Sequence, residues 1–343
     1  MKTEILRAMD DGSLEAIARA GEILKSGGLV AIPTETVYGL AANALSSEAV
    51  KSIYVAKGRP SDNPLIVHIS NIDELEKLTI EVSEDAKRCM SAFWPGPFTA
   101  VLKKSGLVPS TVSGGLDTVA VRMPSHKVAR AVIKAAGVPL AAPSANLSGS
   151  PSPTTAKHCI DDLSGRVDAI VVSSDCAVGV ESTVVTFATN PPRLLRPGGI
   201  TAEEIRNIVP NLVIDKAVVS EPEKGEKVAS PGMKYKHYSP KADITLVEGE
   251  STAFVDFCNN NIDGFELALC FLEEQRDINK IETLSFGAES DYNTQAERLF
   301  ALLRELDERG VKKVVAHAPK KEGVGLAVYN RLIRAAGFKV VVL

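Results

Sequence analysis

The stretch FTAVLKKSGLVPSTVSGGLDTVAVRM, residues 98–123, decides the fold of the N-terminal part of the chain. Segments 98–102 and 118–123 are rich in apolar and β-branched residues, which is typical of strands. The segment between them has turn residues and no long helical repeat. Two successive strands without a crossover helix argue against a regular alternation of strands and helices. We therefore predict a large mixed sheet with helices packed on it.

Further apolar segments extend this sheet, and amphipathic segments supply its helices. We predict strands at residues 29–32, 65–69, 138–142, 169–173, 183–187 and 193–196. We predict helices at residues 14–26, 47–57, 84–93, 126–136 and near 154–163. Because strands outnumber helices, the mixed sheet is favoured over a doubly wound one here.

The C-terminal part alternates strand and helix patterns more regularly. Strands are predicted at 243–247, 265–271, 281–286, 312–317 and 338–343, and helices at 251–260, 293–309 and 326–336. This order predicts a small, mostly parallel, doubly wound domain. It contains no GxGxxG or Walker A sequence, so no nucleotide fingerprint marks it.

A linker separates the two parts, and we predict an N-terminal domain at 1–208, a linker at 209–241 and a C-terminal domain at 242–343. Residues 216–241 contain six Lys against three Glu, with three Pro and little apolar periodicity. Composition favours a solvated spacer. The core of the linker, SPGMKYKHYSP at 230–240, leaves a binding surface open as the alternative.

Composition excludes several classes of protein. The 343 residues are 45% hydrophobic and 24% charged, which suits a globular protein of two domains. The net charge of −4 is unsuited to wrapping nucleic acid through a basic face, although a local basic pocket stays open. No apolar run approaches the ~18 residues of a membrane span, and the N-terminus lacks the pattern of a signal peptide. Five scattered cysteines without a CxxC pair indicate neither disulfides nor zinc, so we expect a cytoplasmic protein without a metal site.

Hydroxyl and basic side chains follow several of the predicted strands and helices. Thr34 and Thr36 come directly after the strand at 29–32, at a common place for ligand sites, although threonines also form ordinary turns. Lys57 continues an apolar stripe of its helix, and Arg59 follows on a Gly-Pro bend that Asn63 can reach. This bend is consistent with a polyphosphate site. It is equally consistent with an ordinary helix end, where the helix dipole favours basic residues.

The strands themselves carry further polar groups. His68 lies within an apolar strand, where a lone His is more often structural than a ligand. Thr118, Ala120 and Arg122 share one strand face, and small neighbours leave room for an anion at Arg122. An exposed strand face is the alternative.

Four more side chains complete the set of hydroxyl, amide and basic groups after strands: Ser144, Asn146, Ser182 and Arg196. Each alone is typical of a turn. No Ser-His-Asp order, HExxH sequence or matched carboxylate pair occurs. Basic and hydroxyl groups at strand ends therefore favour a phosphate-ligand site over a hydrolytic one.

Seven motifs in order give this chain a specific resemblance: PTETVYGL, KGRP with NPLIVHI, WPGPFT, VAVRMP, PSANLSG, ESTVV and RLLRPG. Together they resemble the YrdC-type domain. The whole chain, with its PGMKYKHYSP linker and second α/β domain, is similar to the two-domain form of the L-threonylcarbamoyladenylate synthase family. That family implies a twisted, open mixed sheet with a concave cavity, and a small Rossmann-like C-terminal domain.

The resemblance implies a nucleotidyltransferase reaction. L-threonine, bicarbonate and ATP give threonylcarbamoyl-AMP and pyrophosphate, with Mg²⁺ accompanying the nucleotide. A partner enzyme complex then passes the threonylcarbamoyl group to adenosine 37 of tRNA, and direct tRNA binding by this chain is left open. No membrane is involved.

The resemblance also implies roles for residues. Lys57, Arg59, Ser144 and Asn146 match the catalytic K-x-R and S-x-N pairs. ATP is expected near Arg59, Asn63, Thr118, Ser144, Ser152, Arg196 and Tyr235. L-threonine is expected near Thr34, Thr36, His68, Arg122, Ala142 and Ser182. Whether Thr34 or Thr36 touches threonine, and whether Tyr235 or Tyr238 closes over the nucleotide, is left open.

Two other classes compete with this interpretation. One is an RNA-binding module without catalysis, which the acidic composition disfavours. The other is a carbamoyl-transfer maturation factor, which would usually bring zinc-finger domains, and no CxxC is present.

Overall fold

The computed structural model describes residues 2–9, 13–61, 63–221, 238–261 and 263–343. They form two compact units. The first holds the described residues up to 148 together with 152–218. The second holds 149–151, 219–221 and the described residues from 238 onward.

The first unit is built on one 12-stranded mixed sheet among the described residues. Its strands are β1 (Glu4–Arg7), β2 (Val30–Ile32), β3 (Gly39–Asn43), β4 (Ile66–His68), β5 (Thr79–Glu81), β6 (Phe98–Lys104), β7 (Thr118–Arg122), β8 (Leu140–Ala141), β9 (Ala169–Val172), β10 (Thr183–Thr186), β11 (Arg193–Arg196) and β12 (Val213–Ile214). They lie in the order β1-β9-β2-β3-β8-β4-β7-β6-β10-β11-β12, with β5 also paired to β6. β6 and β7 are antiparallel neighbours, so the predicted mixed sheet is confirmed.

Helices cover this sheet. They are α1 (Leu14–Lys25), α2 (Ser47–Lys57), α3 (Leu75–Leu78), α4 (Glu84–Phe93), α5 (Ser110–Ser113), α6 (Lys127–Ala136), α7 (Ala156–Leu163) and α8 (Ala202–Arg206). α1 and α6 share an apolar cluster, to which Ile17 and Val132 belong. A Cβ at Gly21 would lie 2.7 Å from the backbone of Ala135, so glycine permits their close approach.

The local sequence of α2 explains how it delivers Lys57. Ser46 caps the helix by accepting from the N–H of Ala49, and Gly58 ends it in the left-handed conformation at φ 62°. The apolar stripe that includes Ile53 packs into the core. Lys57 lies on that stripe and is buried, as its spacing predicts.

Most predicted elements of the first unit are present with ends shifted by one to three residues, whereas the sequence analysis does not predict β1, β3, β5 and β12 or the short helices α3, α5 and α8. The sequence of β3, GLAAN, has no β-branched residue. It forms a strand because β2 and β8 pair with it on both sides. Tertiary pairing overrides the weak local propensity.

The second unit contains a five-stranded parallel sheet, in the order β15-β14-β16-β13-β17. Its strands are β13 (Asp243–Glu248), β14 (Leu267–Cys270), β15 (Glu282–Ser285), β16 (Lys313–His317) and β17 (Val340–Val342), and its helices are α9 (Ser251–Asn260), α10 (Tyr292–Arg309) and α11 (Gly325–Ala335). The predicted Rossmann-like domain is therefore confirmed. No helix in the described part of the chain combines the length and apolar character that a bilayer crossing requires.

Candidate active site

Two polar side chains meet at the carboxyl ends of β4 and β7. The parallel register pairs His68 with Arg122, and Thr99 of β6 lies opposite Arg122 on the other side. The exposed fractions are 3% for His68 and 4% for Arg122. A buried guanidinium stays charged and requires partners, so the groups around Arg122 define the site.

Neutral oxygens hold two edges of the Arg122 guanidinium. Its Nε donates to the carbonyl oxygen of Gly96 at 3.3 Å, and its Nη1 donates to Oγ1 of Thr36 at 2.8 Å. The hydroxyls of Thr34 and Thr36 are 2.9 Å apart, and Thr34 donates to the carbonyl oxygen of Val37 at 2.6 Å. Because the Thr34 hydroxyl donates its only proton to the Val37 carbonyl oxygen, the Thr36 hydroxyl is the donor in the bond between the two hydroxyls. The hydroxyls of the turn after β2 therefore form one series of hydrogen bonds that ends at Arg122.

Glu35 completes the surroundings of Arg122, although the sequence pattern assigns it no role. Its Oε1 lies 2.8 Å from Arg122 Nη2 and accepts from the N–H of Ser125 at 3.1 Å. Burial would raise the pKa of the Glu35 carboxyl, but the charge of Arg122 and the Ser125 N–H outweigh burial and lower it. The pair is therefore ionised. The available signal was an acid between two hydroxyl residues at the end of a buried strand.

His68 is neutral in this setting. Its Nδ1 lies 3.2 Å from the carbonyl oxygen of Ile66, which only accepts, so Nδ1 carries the proton and Nε2 keeps a lone pair. Burial and the nearby Arg122 charge lower the pKa of His68 to about 3. At neutral pH its Nε2 is a hydrogen-bond acceptor.

A second polar group lies where β10 begins and β11 ends. The hydroxyls of Ser182 and Thr99 are 2.7 Å apart. Arg196 donates from Nε to the Ser182 carbonyl at 3.1 Å and from Nη2 to its hydroxyl at 3.2 Å. A Cβ at Gly198 would lie 2.4 Å from the carbonyl oxygen of Glu181, so glycine lets the segment after β11 pass against residues 181–183. Since Thr99 is opposite Arg122, this group adjoins the first one.

A third group joins Lys57 to the turn that follows β8. The Lys57 ammonium, 3% exposed as a residue, donates to the carbonyl oxygens of Ser144 and Asn146. The Ser144 hydroxyl donates to Oδ1 of Asn146 at 2.6 Å. Hydrogen bonds thus join the lysine of the K-x-R motif to the turn of the S-x-N motif. Lys57 and Asn146 are 89 residues apart in the sequence.

Backbone hydrogen bonds tie these groups together. Gly39 and Ser144 form an antiparallel bridge, and the N–H of Ala145 donates to the Tyr38 carbonyl at 2.8 Å. The N–H of Tyr38 donates to Pro153 at 2.9 Å. The turn after β2 and the segment 144–153 are therefore held side by side.

The segment 152–153 reaches the second group through a side chain. Ser152, which is fully buried, donates to Oε1 of Glu181. Ala142 is also buried here, and its N–H donates to Ile66 at 3.0 Å. Eleven predicted residues thus lie in segments joined to one another by hydrogen bonds: Thr34, Thr36, Lys57, His68, Arg122, Ala142, Ser144, Asn146, Ser152, Ser182 and Arg196.

Asn63 and Thr118 lie away from Arg122, near the amino ends of β4 and β7. Extending the register of Ile66 with Ala120 brings residue 64 beside Thr118. The Asn63 side chain is 1% exposed, and both its amide atoms lack a hydrogen-bond partner among the described residues. Arg59 follows the end of α2 and is half-buried.

Of the two linker tyrosines, the described residues include only Tyr238. Tyr235 lies outside the described residues. Tyr238 is 6% exposed within the second unit, and its ring centroid lies 5.4 Å from that of Phe300. Within the described ranges, no group of three or more His, Cys, Asp or Glu side chains is arranged to hold a metal.

Hydroxyl, amide and basic groups at the strand ends of a mixed sheet define the class as an enzyme for small anionic substrates. Two family models match the chain: one described as telomere recombination over residues 22–198, and one described as threonylcarbamoyl-AMP synthase, C-terminal domain, over residues 200–337.

Relatives that span the chain carry the same name. The threonylcarbamoyl-AMP synthase of Pyrococcus abyssi (strain GE5 / Orsay) is 44% identical, covering 94% of each chain. That of Bacillus subtilis (strain 168) is 46% identical, covering 95% of this chain and 94% of the relative. A crystal structure of P. abyssi Sua5 complexed with L-threonine matches with a TM-score of 0.92 at 40% identity, covering 99% of this chain and 100% of that one.

The chain belongs to the threonylcarbamoyl-AMP synthase family. It is an ATP-utilising nucleotidyltransferase, which converts L-threonine, bicarbonate and ATP into threonylcarbamoyl-AMP and pyrophosphate. The product serves the N6-threonylcarbamoyladenosine modification of tRNA.

Proposed function

We propose that the groups around Arg122 bind L-threonine, through Thr34, Thr36, His68, Arg122, Ala142 and Ser182. The observation that carries this proposal is the buried, oriented guanidinium of Arg122, which suits one carboxylate. The neutral His68, with an acceptor at Nε2, suits an ammonium or hydroxyl donor. The bound L-threonine of the P. abyssi structure supports the assignment.

ATP is assigned to Arg59, Asn63, Thr118, Ser144, Ser152, Arg196 and Tyr235, and Asn146 is assigned with Ser144 to the catalytic S-x-N pair. The support is chemical: these residues supply cations, hydroxyls and amides that recognise phosphates and a nucleoside. The four residue-to-residue steps from Thr118 to Arg122 span roughly 13 Å at ~3.3 Å per step. The nucleotide then extends along the sheet away from the amino-acid pocket, with its α-phosphate at the end nearer that pocket.

The chemistry of the reaction explains why no protein nucleophile is needed. The amine of threonine combines with bicarbonate to form a carbamate and water. A carbamate oxygen attacks the α-phosphorus of ATP, and the bond to the pyrophosphate oxygen breaks. Such a step depends on positioning and on neutralising phosphate charge. Arg59 and Arg196 supply positive charge.

Lys57 acts through the turn that it holds. Because its ammonium donates to the Ser144 and Asn146 carbonyls, it fixes the Ser144 hydroxyl that is assigned to ATP and the Asn146 amide bonded to that hydroxyl. It also adds a buried positive charge next to them. Lys57 is therefore assigned both a positioning and an electrostatic role.

Mg²⁺ is assigned to the substrate, not to the protein. The described residues offer no cluster of ligands for a resident ion. Mg²⁺ prefers oxygen ligands and is commonly held by substrate phosphates with few carboxylates. MgATP is then the form that binds.

The product fits a two-enzyme pathway in the cytoplasm. A mixed anhydride such as threonylcarbamoyl-AMP hydrolyses readily, so a partner enzyme complex that acts on tRNA must consume it directly. The five cysteines are all buried and are not joined in disulfides, which agrees with a reducing compartment. The charge of −4 gives this chain little attraction for tRNA on its own.

Calorimetry on single variants tests the division of the site. Ser144→Ala should weaken MgATP binding at least tenfold and leave L-threonine binding within twofold, and Thr36→Val should do the reverse. Ser91→Ala, at an exposed serine of α4 outside the three groups, is the control. If both variants weakened the same ligand, the division would be wrong.

A further inference from the structure

The ion pair between Glu35 and Arg122 is incompletely satisfied. Nη2 and Oε1 are 2.8 Å apart, yet Nη2 makes no aligned hydrogen bond, and Oε2 of Glu35 is buried without a hydrogen-bond partner. Removing two charges from water is costly, and apolar residues of similar volume often serve stability as well. Stability alone therefore does not account for this pair.

Glu35 is nevertheless fixed from several sides. Its carbonyl accepts from the N–H of Val178 at 2.8 Å, and its carboxylate accepts from Ser125. Its neighbours Thr34 and Thr36 are bonded to each other, and Thr36 is bonded to Arg122. A carboxylate held this firmly against a guanidinium sets both the orientation of the guanidinium and the charge of the pocket.

Arg122 is paired with one acid, so the net charge of this pair is zero. The cation of Arg196 belongs to the adjoining group, where it donates to Ser182. Arg122 carries +1 and Glu35 carries −1, while His68 is neutral. The thiol of Cys176 also faces this pocket, and burial raises its pKa, so it is uncharged. A pocket with one cation and one anion matches a zwitterion, whereas an unpaired arginine would attract phosphate and pyrophosphate as well.

We propose that Glu35 is a positioning and specificity residue for the amino-acid substrate. It orients Arg122 toward the α-carboxylate and cancels its excess charge, so that the pocket accepts a zwitterionic amino acid and rejects phosphate anions. This inference rests on the proposed assignment of Arg122 to L-threonine. In a site that must hold MgATP alongside threonine, such rejection keeps triphosphate and pyrophosphate out of the amino-acid pocket.

Steady-state kinetics with sulfate as the probe anion tests the proposal. In the wild-type enzyme, sulfate should compete with ATP and not with threonine. Glu35→Gln should raise the KM for threonine about tenfold or more, because a charged contact is lost. A tenfold change corresponds to about 1.4 kcal/mol. It should leave the KM for ATP within twofold, and sulfate should now compete with threonine. Glu203→Gln, at an exposed glutamate of the same unit, should match wild type.

Glu35→Asp keeps the charge and serves as the rescue variant. Its threonine KM should lie between those of wild type and Glu35→Gln, and sulfate should not compete with threonine. Equal increases in both KM values in Glu35→Gln, without sulfate competition, would reduce Glu35 to a structural residue. Sulfate competition with threonine in wild type would overturn the charge argument even if Glu35→Gln failed to fold.

Failure of the proposed site is distinguishable from failure of this inference. Calorimetric binding of threonine to Arg122→Gln tests the site itself. If Arg122→Gln binds threonine as wild type does, the site assignment fails. If it loses threonine while Glu35→Gln keeps normal affinity and anion rejection, only the inference fails.

Discussion

His68 and Arg122 are direct neighbours in the parallel register between β4 and β7, both almost fully buried. Burial keeps the imidazole of His68 neutral, and the permanent cation of Arg122 beside it acts in the same direction. The strand pairing thus contributes to the protonation state of a residue assigned to threonine. Two predictions follow from this pair.

The first concerns the pH dependence of stability. The pKa of histidine is about 6.5 in an unfolded chain, and that of His68 is about 3 in the folded protein. Between these values the unfolded state binds more protons, so this contribution is complete above about pH 6.5 and is lost as pH falls toward 3. The slope is at most about 1.4 kcal/mol per pH unit.

His68→Gln should therefore flatten the acid side of the stability curve. Urea unfolding of both proteins between pH 4.5 and 7.5 measures this effect. The stability difference between wild type and variant should shrink as pH falls. Parallel curves would mean that His68 titrates near its ordinary pKa in the folded protein.

The second prediction concerns Arg122→Lys. A lysine keeps the charge but cannot donate to Gly96 and Thr36 while also pairing with Glu35, because it lacks the planar fork. We expect the KM for threonine to rise tenfold or more and the KM for ATP to stay within twofold. Arg130→Lys, at a half-buried arginine of α6, is the matched control. An unchanged threonine KM would show that charge alone suffices.

Most of the fold could be predicted from local sequence patterns, because the caps, apolar stripes and turn residues of its main elements all indicate the same structure. α2 has its serine cap, its apolar stripe and its terminal glycine in sequence order, and the structure keeps its predicted bounds. β1, β3, β5 and β12 could not be predicted, because each is short and depends on its strand partners. β1 pairs with β9 and β3 pairs with β8, both far along the chain. The strand order, with β9 between β1 and β2, is likewise a property of long-range pairing.

The site was only partly accessible to sequence reasoning. Hydroxyl and basic residues after strands could be identified singly, and the ordered motifs gave them a shared purpose. The bonds of Lys57 to the turn at Ser144 and Asn146 join residues that are 87 and 89 positions apart, so they have no local signal in the sequence. Sequence reasoning did not identify Glu35, because its role depends on its proximity to Arg122 in the fold and not on any spacing of residues in the sequence.

The third prediction concerns the role of Lys57 as a tie. Lys57→Met keeps the length of the aliphatic chain and removes the ammonium, leaving the Ser144 and Asn146 carbonyls without this donor. We expect stability to fall by about 1–3 kcal/mol and turnover to fall tenfold or more. Lys51→Met, at an exposed lysine of the same helix, should change neither. Wild-type turnover in Lys57→Met, measured as threonine-dependent pyrophosphate release, would reject the role of Lys57 in the site.

The fourth prediction separates function from stability at Asn63. A buried amide whose oxygen and nitrogen both lack hydrogen-bond partners in the described structure destabilises the fold, because each was desolvated without compensation. Leucine has a similar volume and no such cost. Asn63→Leu should therefore raise the free energy of unfolding by about 1 kcal/mol or more, measured by urea unfolding without nucleotide.

If Asn63 is kept for ATP, the same variant should lose function while gaining stability. We expect its KM for ATP to rise at least tenfold and its KM for threonine to stay within twofold. Asn207→Leu, at an exposed asparagine of the first unit, should leave both the stability and the two KM values close to wild type. A stabilised Asn63→Leu with normal ATP kinetics would leave the buried amide without a functional reason. A destabilised variant would show that the amide makes hydrogen bonds in solution, through water, because only a satisfied amide is costly to replace with leucine.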